Sequence, residues 1–166
     1  MSCLRQPGAD LNDRIELVPC SSAGKLVYYA AILQSHKLKV AALFASDPSG
    51  AAKQEQLANK LGHRGIIRVR DAYAGKVKTP QIEDLLRATL IRVAKESLGW
   101  DVSAEAASHP EQPIIDVFAS QITGFSRYKL AKAYVRWTRD HDASELEADE
   151  RTQWFTLIGK INSALR

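Results

Sequence analysis

The stretch from Val40 to Gly50, Val-Ala-Ala-Leu-Phe-Ala-Ser-Asp-Pro-Ser-Gly, limits the fold more than any other. Its first half is a short apolar run, the pattern of a strand buried on both faces. Its second half is a turn cluster, and a helical pattern follows at once from Ala51 to about Leu61. Strand, acidic turn and helix place Asp47 at the carboxyl end of a parallel strand, the edge where open α/β sheets hold ligands. A carboxylate there can hold a hard cation. The same residues also suffice for a plain turn and helix cap, with no ligand at all.

A chain of 166 residues is long enough for one domain with a useful core. No apolar run approaches the length that spans a bilayer, and the first residues lack the apolar centre of a signal peptide. Cys3 and Cys20 have neither metal-ligand spacing nor a partner framework, so a reduced, cytoplasmic setting with no membrane association is expected. A net charge of +4 permits a nucleic-acid partner without requiring one.

In chain order, residues 1–13 read as a flexible lead-in. Ile15 to Pro19 reads as a short strand. Leu26 to about Ser35 is a helix apolar nearly all round, and is expected to be well buried. Gly24-Lys25 before it invites a phosphate-loop reading, but the first glycine of that motif is absent and Leu26 stands where a hydroxyl residue should be. Gly65 to Val69 is a third strand, followed by a polar loop from Asp71. Thr79 and Pro80 suit the cap and first position of a helix running to about Leu98, buried through Ile82, Leu85, Leu86, Thr89, Leu90 and Val93. Glu83 and Asp84 lie in its first turns. They either answer the helix dipole or form an acidic cluster facing the same sheet edge as Asp47.

Gly99 to Pro113 reads as an irregular excursion, and Ile114 to Ile122 as strand or helix, since periodicity does not decide. Ser126 to about Arg139 is a helix with Leu130, Ala131, Tyr134, Val135 and Thr138 on its buried side. Lys129, Lys132, Arg136 and Arg139 form a stripe opposite, which either follows a phosphate backbone or is a solvated face. A last helix buries Trp154, Phe155, Ile158, Ile161 and Leu165. His36, His63, His109 and His141 have no ligand at zinc spacing, and no Gly-x-Ser-x-Gly elbow occurs.

Four segments in this order resemble the TOPRIM nuclease region of OLD-family (overcoming lysogenization defect) ATP-dependent endonucleases. They are Leu17 to Lys25, Leu43 to Gly50 (similar to an Asp-x-Asp-x-x-Gly segment), Ile82-Glu-Asp-Leu85, and the Lys129-Leu-Ala-Lys-Ala133 helix with the amphipathic helix after it. The resemblance implies an α/β, TOPRIM-like fold: a small parallel sheet flanked by helices in residues 14–99, with a helical extension in 100–166. It implies Mg2+ or Mn2+ and cleavage of DNA. Asp47 carries over as a metal ligand, Glu83 and Asp84 as the acidic pair at a second metal, and Lys129, then Lys132, as the lysine near the scissile phosphate. It also implies a homodimer and a separate ATPase chain.

Two departures set the expectation for activity. Ala45 stands where the first Asp of Asp-x-Asp should be, and no strand ending in Glu precedes Arg14; Glu16 is a poor replacement. No Walker motif occurs. The resemblance therefore implies a truncated nuclease half, impaired in catalysis, or a non-catalytic nucleic-acid-binding module on the same fold.

Overall fold

A computed structural model describes residues 10–20, 22–45 and 51–166. Two strands, β1 (Ala42–Phe44) and β2 (Ile66–Arg68), form a parallel pair in register Ala42 with Ile66 and Phe44 with Arg68. Helix α2 (Ala51–Leu61) connects them, and α1 (Ala23–Ser35) precedes β1. Helices α3 (Arg87–Leu98), α4 (Ser103–Ser108), α5 (Ile114–Gln121), α6 (Arg127–Trp137) and α7 (Ala148–Ala164) complete the order. The chain is thus α/β, mostly helical, around a small parallel sheet. The apolar alternation buries Ala42 and Phe44 on β1 and Ile67 on β2. Gly65 lets the turn into β2 close, because a Cβ there would stand 2.9 Å from the Leu61 Cβ.

The expected first strand does not form. Ile15 to Pro19 runs without a ladder partner among the described residues, with only Ile15 packed against the sheet and α7, while Leu17 and Val18 stay about half exposed. Pro19 cannot donate to a ladder, which weakens so short a run as a strand. The lead-in is not loose throughout: Asn12 N–H donates to the Asn162 side chain at 2.9 Å, and Asn162 donates back to Asp10 O at 3.0 Å. Helix α1 begins earlier than expected because the Ser22 hydroxyl accepts from Lys25 N–H. It is also far less buried: Ala30 is its one buried residue, and Tyr28, Tyr29 and Ile32 face outward.

The helical half is organised by two buried carboxylates and one guanidinium. The turn before α3, Ile82–Leu86, is 3-10 rather than α, and its cap is Gln81, not Thr79. Asp84 holds that turn, accepting from Gln81 N–H at 2.8 Å, and also accepts from Ile114 N–H, at the first position of α5, at 2.8 Å. This bond answers the question periodicity left open, since it satisfies an amide of a helix start. Arg87 lies 3.7 Å from Asp84 and donates to Ala106 O, His109 O and Gln112 O. Three carbonyls of the expected irregular excursion therefore converge on one cation, and α4 folds within it. Glu150 at the start of α7 accepts from Thr89 N–H at 2.9 Å and from the Thr89 hydroxyl, capping α3 from outside.

Helices α6 and α7 bury faces rotated from those expected. On α6 the buried residues are Leu130, Ala133 and Trp137, with Thr138 just beyond its end. Ala131 is exposed and Val135 is 54% exposed. On α7 they are Glu150, Gln153, Leu157 and Ile161, with Trp154, Phe155, Ile158 and Leu165 half-buried. The turn of α7 follows from its polar anchors: Glu150 reaches Thr89, and Gln153 accepts from Ala74 N–H at 3.1 Å. Trp154 bridges the helical core around Phe118 and Val93 to the core between β2 and α7.

Arg87 has a testable weight. Arg87→Ala leaves Asp84 without its cation and three carbonyls without donors, and is expected to cost about 3 kcal/mol or more in urea unfolding. Arg87→Lys keeps the charge but lacks the fork, and is expected to recover only a minor part of that loss. Full recovery by lysine would show that charge alone, not the fan of hydrogen bonds, holds the α4–α5 segment.

Candidate nucleic-acid interface

Helix α6 starts at Ser126, whose hydroxyl accepts from Lys129 N–H, and it carries no acid in its first turn. Arg127 and Lys129 instead put positive charge near the positive end of the helix dipole, which is unfavourable by some tenths of a kcal/mol each. Lys129, Lys132 and Arg136 follow at spacings of three and four. Such neighbours meet on one face and repel when alike in sign.

Tertiary packing turns that face into a cleft. The end of α3 lies alongside α6, and Ser97, Leu98, Lys129, Lys132, Ala133 and Arg136 line a shallow cavity of about 190 Å³. Ala133 keeps the floor low between the longer cations. Arg139 lies in the turn after α6 and continues the stripe beyond the cleft. All four cations are exposed, and none forms an ion pair with a carboxylate of the described residues. The contribution of Ser97 and Leu98 had no signal in the sequence, since it depends on α6 lying alongside the end of α3.

The acidic candidates do not join this cleft as free ligands. Asp47 lies outside the described residues. Glu83 is held by Arg127 in a bidentate pair, with Nη2 to Oε2 at 2.7 Å, and this bond together with the charge pushes the Arg127 pKa up. The Asp84 side chain is fully buried, and each of its oxygens already accepts a backbone N–H at 2.8 Å. Metals of the Mg2+ or Mn2+ kind need carboxylate oxygens that can turn outward to an ion and its waters. Glu83 and Asp84 as placed here do not fit such an ion, and among the described residues no three His, Cys, Asp or Glu side chains gather as a metal group.

Burial pushes the Asp84 carboxyl up from the ordinary aspartate range, against the pull of the Ile114 and Gln81 amides and of Arg87. The folded chain then keeps this proton at pH values where the unfolded chain has lost it. Stability from Asp84 is therefore complete below the ordinary aspartate pKa, and declines as pH rises through the raised value. The measurement is urea unfolding from pH 3.5 to 6.5 of the natural chain and Asp84→Asn. Their stability difference should narrow as pH rises; a difference that widens would show that the two amides and Arg87 outweigh burial.

Comparison of the chain with family models, with curated proteins and with solved structures found no match.

Proposed function

We propose that this chain is a non-catalytic nucleic-acid-binding module on a TOPRIM-like α/β fold, which grips the phosphate backbone of DNA with the α6 face. The observation that carries this reading is the convergence of Lys129, Lys132 and Arg136 on one cleft, with no carboxylate paired to them among the described residues. Clustered like charges cost folding energy unless an outside anion offsets them, and a phosphate backbone supplies anions at a matching repeat. Arg136 can hold a phosphate through two parallel N–H bonds, while Lys129 and Lys132 act as point charges. Arg139 extends the track by one further phosphate. Contacts of this kind go to phosphates and carry no sequence information, so the affinity they supply is sequence-independent and strongly salt-dependent.

DNA cleavage, the other implication of the OLD-family resemblance, draws its support from the order of the four sequence segments. The placement of Glu83 and Asp84 weighs against it. The two readings separate in two assays. In the first, fluorescence anisotropy of a labelled duplex should give a plot of log affinity against log salt with a slope of about −3 to −4, for up to four neutralised phosphates. Lys132→Glu with Arg136→Glu should lower affinity at least about tenfold and flatten that slope by about 2, because each cation removed leaves one phosphate with its counterions. Binding that these variants leave intact would remove α6 as the interface.

The second assay is nicking of supercoiled plasmid with manganese. The natural chain is expected to leave the plasmid intact. Robust nicking that Asp47→Ala abolishes would restore the nuclease reading.

A further inference from the structure

A second cavity lies on another side of the molecule, between α7 and the entry to β2, with a volume of about 610 Å³. That is within the range of pockets that hold small organic ligands, and far more than a bare ion fills. One wall is a single face of α7: Thr156, Gly159, Lys160 and Ser163 follow at spacings of three, one and three. The opposite rim is the 3-10 turn His63–Gly65, which contributes His63 and Arg64. The turn is pinned there because Gly62 has φ +74° and Gly65 has no room for a Cβ. Ile66, Ile67 and Ala164 supply an apolar wall.

Two features bear on the occupant: unpaired cations, which favour an anion, and an open floor, which leaves room for a bulkier group. Arg64 and Lys160 face the groove from opposite sides, and neither has an ion-pair partner among the described residues. The carboxylate in the lining, Asp71, already accepts the Arg68 N–H at 3.1 Å and pairs with neither cation. The other feature is Gly159. Glycine inside a helix is unfavourable relative to alanine. Here a Cβ would meet nothing within 4 Å, so packing within the chain does not require it. Its effect is to leave the groove floor open between Thr156 and Ser163.

We infer that this groove is a binding site for a phosphate monoester of mononucleotide size, with the phosphate between Arg64 and Lys160 and the organic part over Gly159 against the Ile66–Ile67 wall. Arg64 presents a planar fork and Lys160 a point charge to the phosphate oxygens. The Ser163 hydroxyl is a further donor, whereas the Thr156 hydroxyl is spent on Thr152 O at 2.8 Å. Gly159 admits a flat ring system to the helix backbone. The site is separate from the α6 cleft and does not depend on the DNA reading.

The test uses the full chain carrying Lys132→Glu and Arg136→Glu, which removes two of the cations of the α6 stripe and lowers its contribution. Isothermal titration with AMP, adenosine and inorganic phosphate should show saturable binding of AMP, with adenosine and inorganic phosphate each weaker by at least about tenfold, the worth of one charge-assisted hydrogen bond. Arg64→Glu with Lys160→Glu should abolish AMP binding. Gly159→Leu should also abolish it, while raising the melting temperature by about 2–4 °C through better helix propensity. That rise shows the variant is folded and the groove merely filled. AMP binding no tighter than adenosine, AMP binding unchanged in Gly159→Leu, or no saturable AMP binding would each overturn the assignment. A 5′-phosphorylated dinucleotide titrated alongside identifies the source: tighter binding than AMP assigns the phosphate to a nucleic-acid end, weaker binding to a free nucleotide.

Discussion

Asp84 and Arg87 form the joint on which the helical half of this protein depends. One carboxylate closes the 3-10 turn through Gln81 and starts α5 through Ile114, while the neighbouring guanidinium gathers Ala106, His109 and Gln112. A segment with little periodicity of its own is thereby given a fixed course. The core residues Val102, Ala106, Ile114 and Phe118 can pack only because that course returns them to α3 and α6. Such a joint is costly to desolvate, and it holds only because nearly every oxygen and N–H in it has a partner.

This joint also governs where function can reside. A buried carboxylate with both oxygens engaged is unsuited to holding a hydrated ion, and Glu83 beside it is neutralised by Arg127. Exposed cations that border a concavity lie elsewhere, on the α6 face and on the two rims of the groove beside α7. In both places these cations have no carboxylate partner among the described residues. Unpaired charge at a cavity is a better guide to ligand chemistry than charge alone, because exposed stripes are commonly just solvated.

The sheet is small for the helices around it. Its two strands leave α1 with an aromatic outer face and Leu17 and Val18 half exposed. The helices α3 to α6, by contrast, share one core, and Trp154 of α7 links it to the core beside β2. No helix among the described residues is long and apolar enough to cross a membrane.

Local chemistry alone determined much of this. The run Val40 to Ala45 is short and closed by a turn cluster, so it reads as a strand despite its alanines, and β1 forms there as the parallel partner of β2. The helices α2, α3 and α6 were legible in their apolar spacing, and the cationic stripe in the positions of Lys129, Lys132 and Arg136. What sequence alone left undecided was every feature set by a partner distant in the chain. Ile15 to Pro19 reads as a strand but has no strand to pair with among the described residues. The helical character of α5 rests on an amide held by Asp84, 30 residues away. The rotation of α7 rests on Glu150 and Gln153, which bond to Thr89 and Ala74. The role of Asp84 differs from both that its sequence position suggests, an acid answering a helix dipole or a member of an acidic cluster at the sheet edge. Only tertiary burial, with two amides brought to its oxygens, made it a structural anchor, because the worth of a carboxylate is decided by what surrounds it and not by its position in the chain.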